Sequence, residues 1–124
     1  MNKRGFGSIG ENMAANYLEG IGFKIMARNY RCGRLGEIDI IAVENEFICF
    51  IEVKTRTSNL YGSPIEAISF SKQRKIISVA WSYIKQHNMN GSNMRFDVVE
   101  VIGKKLNDEL KVDKINLIRN AFEG

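Results

Sequence analysis

Charged side chains interrupt the two most apolar runs of the chain, which lie between residues 36 and 56. The first run is rich in isoleucine and the second in isoleucine and phenylalanine, as buried strands are. An ionised group in such surroundings is costly unless it is paired, hydrogen-bonded or bound to a metal. These charges therefore point to chemistry. They are Glu37 and Asp39 in the first run and Glu52 and Lys54 in the second.

The polar break Glu44-Asn45-Glu46 between the runs is typical of an antiparallel hairpin. Because side chains alternate along a strand, Glu52 and Lys54 share one face. A two-residue turn at Asn45-Glu46 sets Asp39 directly opposite Glu52, with Cβ atoms about 4.5–5.5 Å apart. This register predicts a compact cluster of two acids and an amine.

Two other turns remain open on the sequence. A turn at Glu44-Asn45 pairs Glu37 with Glu52 and keeps Asp39 two places along on the same face. A three-residue turn puts Asp39 opposite Ile51 and breaks the cluster. The predicted site therefore depends on a turn of even length.

Two neighbouring carboxylates repel each other, and a divalent cation relieves that repulsion. Mg²⁺ commonly takes one or two carboxylates and completes its shell with water and phosphate oxygens. A nearby lysine can orient or help deprotonate an attacking water, or offset charge in the transition state. Asp39, Glu52 and Lys54 therefore predict metal-assisted phosphodiester hydrolysis. The alternative is a set of exposed cross-strand ion pairs.

A first helix is predicted from Ile9 to Glu19, with Ser8 and Glu11 in the spacing of a capping box. Glu11 has two interpretations. It is a cap, or it is an acid that points inward and joins the sheet carboxylates, and the two roles are compatible.

A second helix is predicted from Ser69 or Ser71 to about His87. Gln73 lies one turn ahead of its apolar stripe and is expected to lean inward. There its amide would hold a water, a backbone group or a scissile phosphate and so support the site. The residues of that stripe, expected in the core, are Ile76, Ile77, Ala80, Trp81 and Ile84.

Basic residues surround these candidates, and the formal net charge of +4 favours an anionic partner. One group precedes the hairpin, one arginine follows it in a polar connector over residues 55–65, and one group is expected on the outward face of the second helix. They are either phosphate contacts or solvated surface charges. They are Arg28, Arg31, Arg34, Arg56, Lys72, Arg74 and Lys75.

The length of 124 residues predicts one domain over 1–124. No apolar run approaches the roughly 20 residues of a membrane span, and no hydrophobic segment follows the basic start, so neither a membrane protein nor a signal peptide is expected. Cys32 and Cys49 offer no C-x-x-C or zinc spacing, and Cys49 is expected to be a buried free thiol. These features predict a cytoplasmic protein.

The predicted order of helix, three strands, helix and strand indicates an α/β fold with a central mixed sheet flanked by helices. The last of these strands covers Met94–Ile102. Residues 115–122 are either a short terminal helix or an extended packing segment.

Several of these segments together resemble the YraN-like family, which is similar to Holliday-junction resolvases of the restriction-endonuclease-like, PD-(D/E)xK nuclease superfamily. The resemblance covers nearly the full length. Its motifs are G-x-x-G-E-x-x-A at Gly7–Ala14, N-Y-R-C at Asn29–Cys32, G-E-I-D-I-I-A at Gly36–Ala42, F-I-E-V-K-T-R at Phe50–Arg56, Lys72-Gln73-Arg74 and R-F-D-V-V at Arg95–Val99.

The resemblance implies a restriction-endonuclease-like three-layer core of order αβββαβ. It implies that Asp39 and Glu52 bind Mg²⁺ or Mn²⁺, that Lys54 is the catalytic lysine and that Glu11 is an accessory acid and metal ligand. Gln73 is similar to the glutamine of a related Q-x-x-x-Y motif, although position 77 is isoleucine, and isoleucine also replaces the proline before Asp39.

Three functions follow as expectations. The first is a nuclease acting on DNA, either branched or single-stranded, with a homodimer suggested by symmetrical cutting. The second is a nucleic-acid-binding protein that keeps the scaffold without turnover. The third is an adaptor that binds another protein.

Overall fold

The computed structural model describes residues 3–57, 66 and 68–124, with side chains from residue 7 onward. The described residues form two helices and five strands. In chain order these are α1 (Lys3–Gly20), β1 (Lys24–Cys32), β2 (Gly36–Glu44), β3 (Phe47–Arg56), α2 (Phe70–Gln86), β4 (Asn93–Leu106) and β5 (Glu109–Phe122).

The strands form one mixed sheet in the order β1-β2-β3-β4-β5. Strands β3 and β4 are parallel and are connected through α2, whereas the other neighbours are antiparallel. The α/β prediction is confirmed. The predicted order αβββαβ lacks one strand, because residues 115–122 belong to β5 and pair along β4. Of the two conformations left open for this segment, the extended one is correct.

Each face of the sheet carries its own hydrophobic core, because neighbouring residues on a strand point to opposite faces. On β3, Phe50 packs with Ile76 of α2. The next residue, Ile51, packs with Leu18 of α1 on the other face. The two helices therefore cover opposite faces, and alternation assigns Glu52 to the face of α2.

Helix α1 begins at Lys3, so the prediction that Ser8 caps it is wrong. Ser8 and Glu11 lie inside the helix, where the backbone N–H groups already have helical partners. Gly10 brings this part of α1 close to β3, because a Cβ at this position would clash with the hydroxyl of Thr55. The helix thus lies against the end of the strand that carries Lys54.

Helix α2 starts as predicted, with Ser69 as its N-cap and the Ser69 Oγ accepting a hydrogen bond from the backbone N–H of Lys72 at 3.1 Å. The prediction that Trp81 is core is wrong, since Trp81 is 56% exposed. The buried stripe consists of Ile76, Val79, Ala80, Tyr83 and Ile84. This stripe is rotated relative to the predicted one, so Trp81 lies on its flank.

Cys49 is a buried free thiol, as predicted, and burial raises its pKa to about 12. Most of the expected polar connector, residues 58–65, lies outside the described residues. Among the described helices, none is long and apolar enough to cross a bilayer.

Candidate functional site

The hairpin of β2 and β3 has the register on which the predicted site depends. Glu44 pairs with Phe47 and Ile40 pairs with Ile51, so the turn is Asn45-Glu46. Asn45 has a φ of 54°, a left-handed conformation that asparagine tolerates better than most residues. The first of the open alternatives is therefore correct, and Asp39 and Glu52 are the next positions outward.

The backbone pairing between the two strands ends at Ile40 and Ile51, and beyond it a side chain of β2 binds the backbone of β3. Asp39 Oδ2 accepts a hydrogen bond of 2.8 Å from the backbone N–H of Val53. Ile38 and Ile41 both pack on the α2 face while Ile40 packs on the α1 face, so the alternation of β2 is interrupted around Asp39. The carboxylate of Asp39 therefore occupies the opening between the strands.

Glu52 is almost completely buried on the α2 face, with an exposed fraction of 2%. Its Oε2 lies 3.1 Å from Nζ of Lys72. Its Oε1 has no hydrogen-bond partner among the described residues. A buried carboxylate oxygen without a partner carries a large desolvation cost, which a bound cation or a proton would offset.

The pKa values show that the two acids share one environment. Burial and then the charge of Asp39 raise the pKa of Glu52 to about 7. Burial also raises the pKa of Asp39, although the Val53 N–H and the charge of Lys72 oppose that rise. The acids are close enough to disfavour each other's ionisation, which is the condition that a divalent cation relieves.

Two lysines complete the cluster. Burial and the positive charge of Lys72 lower the pKa of Lys54. Burial lowers the pKa of Lys72, but the charge of Glu52 and the hydrogen bond to Glu52 outweigh burial, so the pKa of Lys72 is raised. The prediction that Lys72 faces outward is wrong, because its ammonium group contacts Glu52. The sequence signal was its position four residues before Ile76, on the buried stripe of α2.

Glu11 lies at the rim of the cluster. Burial and then the charge of Asp39 raise its pKa. With its amide oriented so that nitrogen faces the acids, Asn29 donates to Glu11 Oε1 at 2.8 Å and to Glu37 Oε1 at 3.2 Å. No three Asp, Glu, His or Cys side chains of the described residues converge as a metal-binding group. The structure therefore places Glu11 beside Asp39.

Of the partners left open for the amide of Gln73, the structure shows a backbone group. Gln73 Nε2 donates a hydrogen bond of 3.1 Å to the backbone carbonyl of Ile68, which is buried just before α2. Gln73 thus holds the entry of the helix that carries Lys72. The structure gives no contact between this amide and the carboxylates of the described residues.

The predicted phosphate contacts separate into two groups. The prediction that Arg56 contacts phosphate does not fit its position, because Arg56 is 7% exposed and its Nε lies 3.0 Å from Glu100 Oε2. Arg28 donates to Asn12 at 2.7 Å, and Arg31 lies 3.4 Å from Glu37, both at the surface. Three further predicted contacts, Arg34, Arg74 and Lys75, are also exposed.

A shallow groove of about 240 Å³ lies between the β1–β2 turn and α2. Its lining combines two cations with two hydroxyls, and Ser71 immediately precedes Lys72. The lining residues are Leu35, Ser71, Arg74, Lys75 and Ser78. Such a lining suits an anion such as a phosphate.

Residues 10–101 match the uncharacterised protein family UPF0102. The chain belongs to the UPF0102 family. A UPF0102 protein of Clostridium botulinum is 52% identical over 118 residues, covering 94% of this chain and 93% of the relative. UPF0102 proteins of Acetivibrio thermocellus and Caldanaerobacter subterraneus are each 47% identical, covering 98% of this chain and 93% and 98% of the relatives.

These matches, which extend over nearly the full UPF0102 chain, confirm the resemblance to the YraN-like family. The family description names no activity.

Other buried acids in the UPF0102 chain show what is unusual about Glu52. Asp97 is fully buried, but Arg95 and the backbone N–H of Asn120 bind it. Glu100 is bound by Arg56 and by the Asn116 amide. Both have structural partners. Among the described residues, Glu52 is the buried acid that keeps an oxygen without one.

The Arg95–Asp97 pair is a structural feature that the sequence analysis did not identify. Arg95 also binds Glu44 at 2.6 Å, and Arg119 binds the same carboxylate at 2.7 Å. The ion pairs lower the pKa of Glu44 to about 2, led by the hydrogen bond from Arg119. The R-F-D spacing was a signal, because residues two apart on a strand share a face.

Proposed function

We propose that this UPF0102 protein is a metal-dependent nuclease that hydrolyses phosphodiester bonds in DNA, on a restriction-endonuclease-like fold. The observation that carries the proposal is the carboxylate of Glu52. It is buried beside Asp39 and two lysines, and one of its oxygens has no partner among the described residues. Stability alone does not account for this arrangement, because burying a charge with an unpaired oxygen costs free energy.

Asp39 and Glu52 fit a hard divalent cation. Both offer oxygen ligands, Glu52 Oε1 is unpaired, and the repulsion between the two acids favours a positive charge between them. Mg²⁺ or Mn²⁺ held by these carboxylates would polarise a phosphate oxygen and lower the pKa of a bound water. Two carboxylates are sufficient for Mg²⁺, because water and phosphate oxygens complete its coordination.

Lys54 would place a positive charge beside the phosphate. It follows Glu52 by two residues and lies on the same face of β3. Its lowered pKa makes its proton easier to transfer than that of an ordinary lysine. In this proposal Lys54 orients the attacking water and offsets the charge that develops on the phosphate oxygens. Glu11 and Gln73 support the site from α1 and from the entry of α2.

The groove beside α2 would hold the DNA backbone. Arg74 and Lys75 line it, and Arg34 precedes Leu35, the lining residue on the turn before β2. Arg28 and Arg31 lie on the edge strand β1, where Arg28 contacts Asn12 of α1, and would offer two further cations at that edge of the sheet. Phosphate contacts of this kind hold a nucleic acid in register without reading its sequence. DNA as substrate implies a cytoplasmic location, and symmetrical cutting of two strands would require two copies of the chain.

A cleavage assay tests the proposal directly. Purified protein is incubated with duplex, flap, four-way-junction and single-stranded DNA, with Mg²⁺ or Mn²⁺ and with a chelator. We expect cleavage of at least one substrate that requires the metal and is abolished by Glu52→Gln. Glu109→Gln, at an exposed position on β5, is the matched control and should cleave normally. Absence of metal-dependent cleavage on every substrate contradicts the proposal.

One observation favours a second candidate, a nucleic-acid-binding protein without turnover. The ammonium group of Lys72 already neutralises part of the charge of Glu52. A binding protein of this kind would retain salt-sensitive DNA binding in Asp39→Ala, or bind more tightly as repulsion of phosphate is relieved. DNA binding without cleavage, unchanged by metal, would favour this candidate.

A further inference from the structure

We propose that Lys72 is a tethered counter-ion that holds the cation position at Glu52 until a divalent metal displaces it. The inference rests on the metal site of the proposed function and adds a regulated occupancy to it. Lys72 then has two positions, one on Glu52 in the metal-free protein and one at the mouth of the groove beside α2.

The contact between Lys72 and Glu52 is incomplete. Nζ lies 3.1 Å from Oε2, while Oε1 has no partner among the described residues. A single ammonium group therefore satisfies half of a buried carboxylate. A divalent cation could bind the same carboxylate more fully and would also offset the charge of Asp39, which lies close enough to raise the pKa of Glu52.

The side chain of Lys72 has more room to move away from Glu52 than a fully buried ion-pair partner would have. Its side chain is 44% exposed, whereas the Arg56 and Glu100 side chains of the structural pair are 7% and 9% exposed. The backbone of Lys72 is fixed separately, by the hydrogen bond of its N–H to Ser69. The flexible four-carbon stem can therefore swing out without moving α2.

Displacement would also change the surface that meets DNA. In sequence, Lys72 directly follows Ser71, which lines the groove, and precedes the groove cations Arg74 and Lys75 on the same helix. An ammonium group released from Glu52 would add one positive charge to this lining. Metal binding and phosphate binding would then favour each other, because both favour the position of Lys72 away from Glu52.

Mn²⁺ binding in the absence of DNA tests the first consequence. Lys72→Met keeps the length of the side chain and removes the competing charge. Lys85→Met, the control, removes an exposed charge from the last turn of the same helix, outside the groove. With Mn²⁺ affinity measured by calorimetry, we expect Lys72→Met to bind about tenfold more tightly than wild type, a difference of about 1.4 kcal/mol. Lys85→Met should bind Mn²⁺ like wild type.

The outcomes separate the two proposals. If wild type binds Mn²⁺ and Lys72→Met binds it equally or more weakly, the counter-ion role is wrong and the metal site stands. If Mn²⁺ binds neither wild type nor Lys72→Met, or binds Glu52→Gln as well as wild type, the metal site itself is wrong and the counter-ion role with it.

Amine labelling of the unaltered protein provides a measurement that needs no variant. The acetylation rate of each lysine is followed by peptide mass spectrometry with and without Mg²⁺. We expect Mg²⁺ to speed labelling of Lys72 severalfold, because its amine leaves Glu52, while Lys75 labels at the same rate in both conditions. An unchanged or slower rate at Lys72 in saturating Mg²⁺ overturns the proposal.

Discussion

The carboxylate of Asp39 on β2 binds the backbone N–H of Val53 on β3 at 2.8 Å, at the point where the backbone ladder of the hairpin ends. One oxygen thus stabilises the opening between the strands. Its charge acts on Glu52, the residue before Val53. A structural contact and a site charge therefore belong to the same side chain, and substitutions can separate them.

Asp39→Asn should keep the hydrogen bond and lose the charge, whereas Asp39→Ala should lose both. We expect Asp39→Asn to unfold in urea near the wild-type midpoint. Asp39→Ala should lose about 1 kcal/mol of unfolding free energy, since the Val53 N–H loses its acceptor. Both should lose metal-dependent cleavage. If Asp39→Asn retains cleavage, the charge of Asp39 is not needed for the reaction.

The sequence narrowed the register of this hairpin to three turns, because the turn and the apolar runs are local in sequence. With the Asn45-Glu46 turn that the structure has, strand alternation places Asp39 and Glu52 as neighbours without knowledge of the rest of the fold. The partner of Glu52 was harder to predict, because Lys72 lies 20 residues away on another element. Its contact with Glu52 depends on how α2 is rotated about its axis against the sheet. The predicted apolar stripe included Trp81, which is not part of the buried stripe, so it did not fix this rotation.

Residues whose role depends on long-range pairing were misjudged for the same reason. Arg56 looks like a loop cation in sequence, but β3 continues through it, and β4 brings Glu100 alongside. The start of α1 was misplaced because Ser8 and Glu11 have the spacing of a cap. That spacing is also compatible with a helix interior, and the contact of Gly10 with Thr55 lies outside any local pattern.

Glu52 should make the metal-free protein less stable as pH rises. Its pKa is about 7 in the folded protein and 4.5 as the reference value, so the folded state binds the proton more tightly. The contribution of protonated Glu52 to the free energy of unfolding is fully present below about pH 4.5 and is lost as pH rises through 7. Glu52→Gln is neutral throughout and should lack this loss. The check is urea unfolding of both proteins across the window, with a chelator present.

The comparison between the two proteins isolates Glu52, because other titrating groups contribute to both. The free energy of unfolding of Glu52→Gln, relative to that of wild type, should increase as pH rises. A constant difference across the window would mean that Glu52 titrates alike in the folded and unfolded chains.

Arg95 should be far more important for stability than Arg119, although both bind Glu44. Arg95→Met leaves the fully buried Asp97 with one backbone donor, a loss of about 3–5 kcal/mol expected for breaking a buried pair. Arg119 is 49% exposed, and Arg119→Met should cost at most about 1 kcal/mol. Denaturant unfolding measures both, and equal costs would contradict the assignment of Arg95 as the buried partner.

Gly10 should be required for the close contact between α1 and β3. Gly10→Ala places a methyl group against the Thr55 hydroxyl and should destabilise the protein by about 1–3 kcal/mol. Gly7→Ala meets no atom within 4 Å and should instead stabilise α1 by about 0.5–1 kcal/mol. In a Thr55→Ala background the cost of Gly10→Ala should fall. Additive costs in this double-mutant cycle would show that the contact is absent.

The two groove cations should account for part of the salt dependence of DNA binding. Replacing Arg74 and Lys75 by serine removes two phosphate contacts, so the slope of log affinity against log salt should become shallower by about 1.5–2. The matched control replaces Lys104 and Lys111, an exposed pair on neighbouring strands β4 and β5, and removes the same net charge. Fluorescence anisotropy with a labelled oligonucleotide over a salt series gives all three slopes. Because net charge falls equally in both double variants, a shallower slope confined to the groove variant assigns the effect to contact rather than to overall charge. Equal slopes in the two variants would remove the groove from the binding surface.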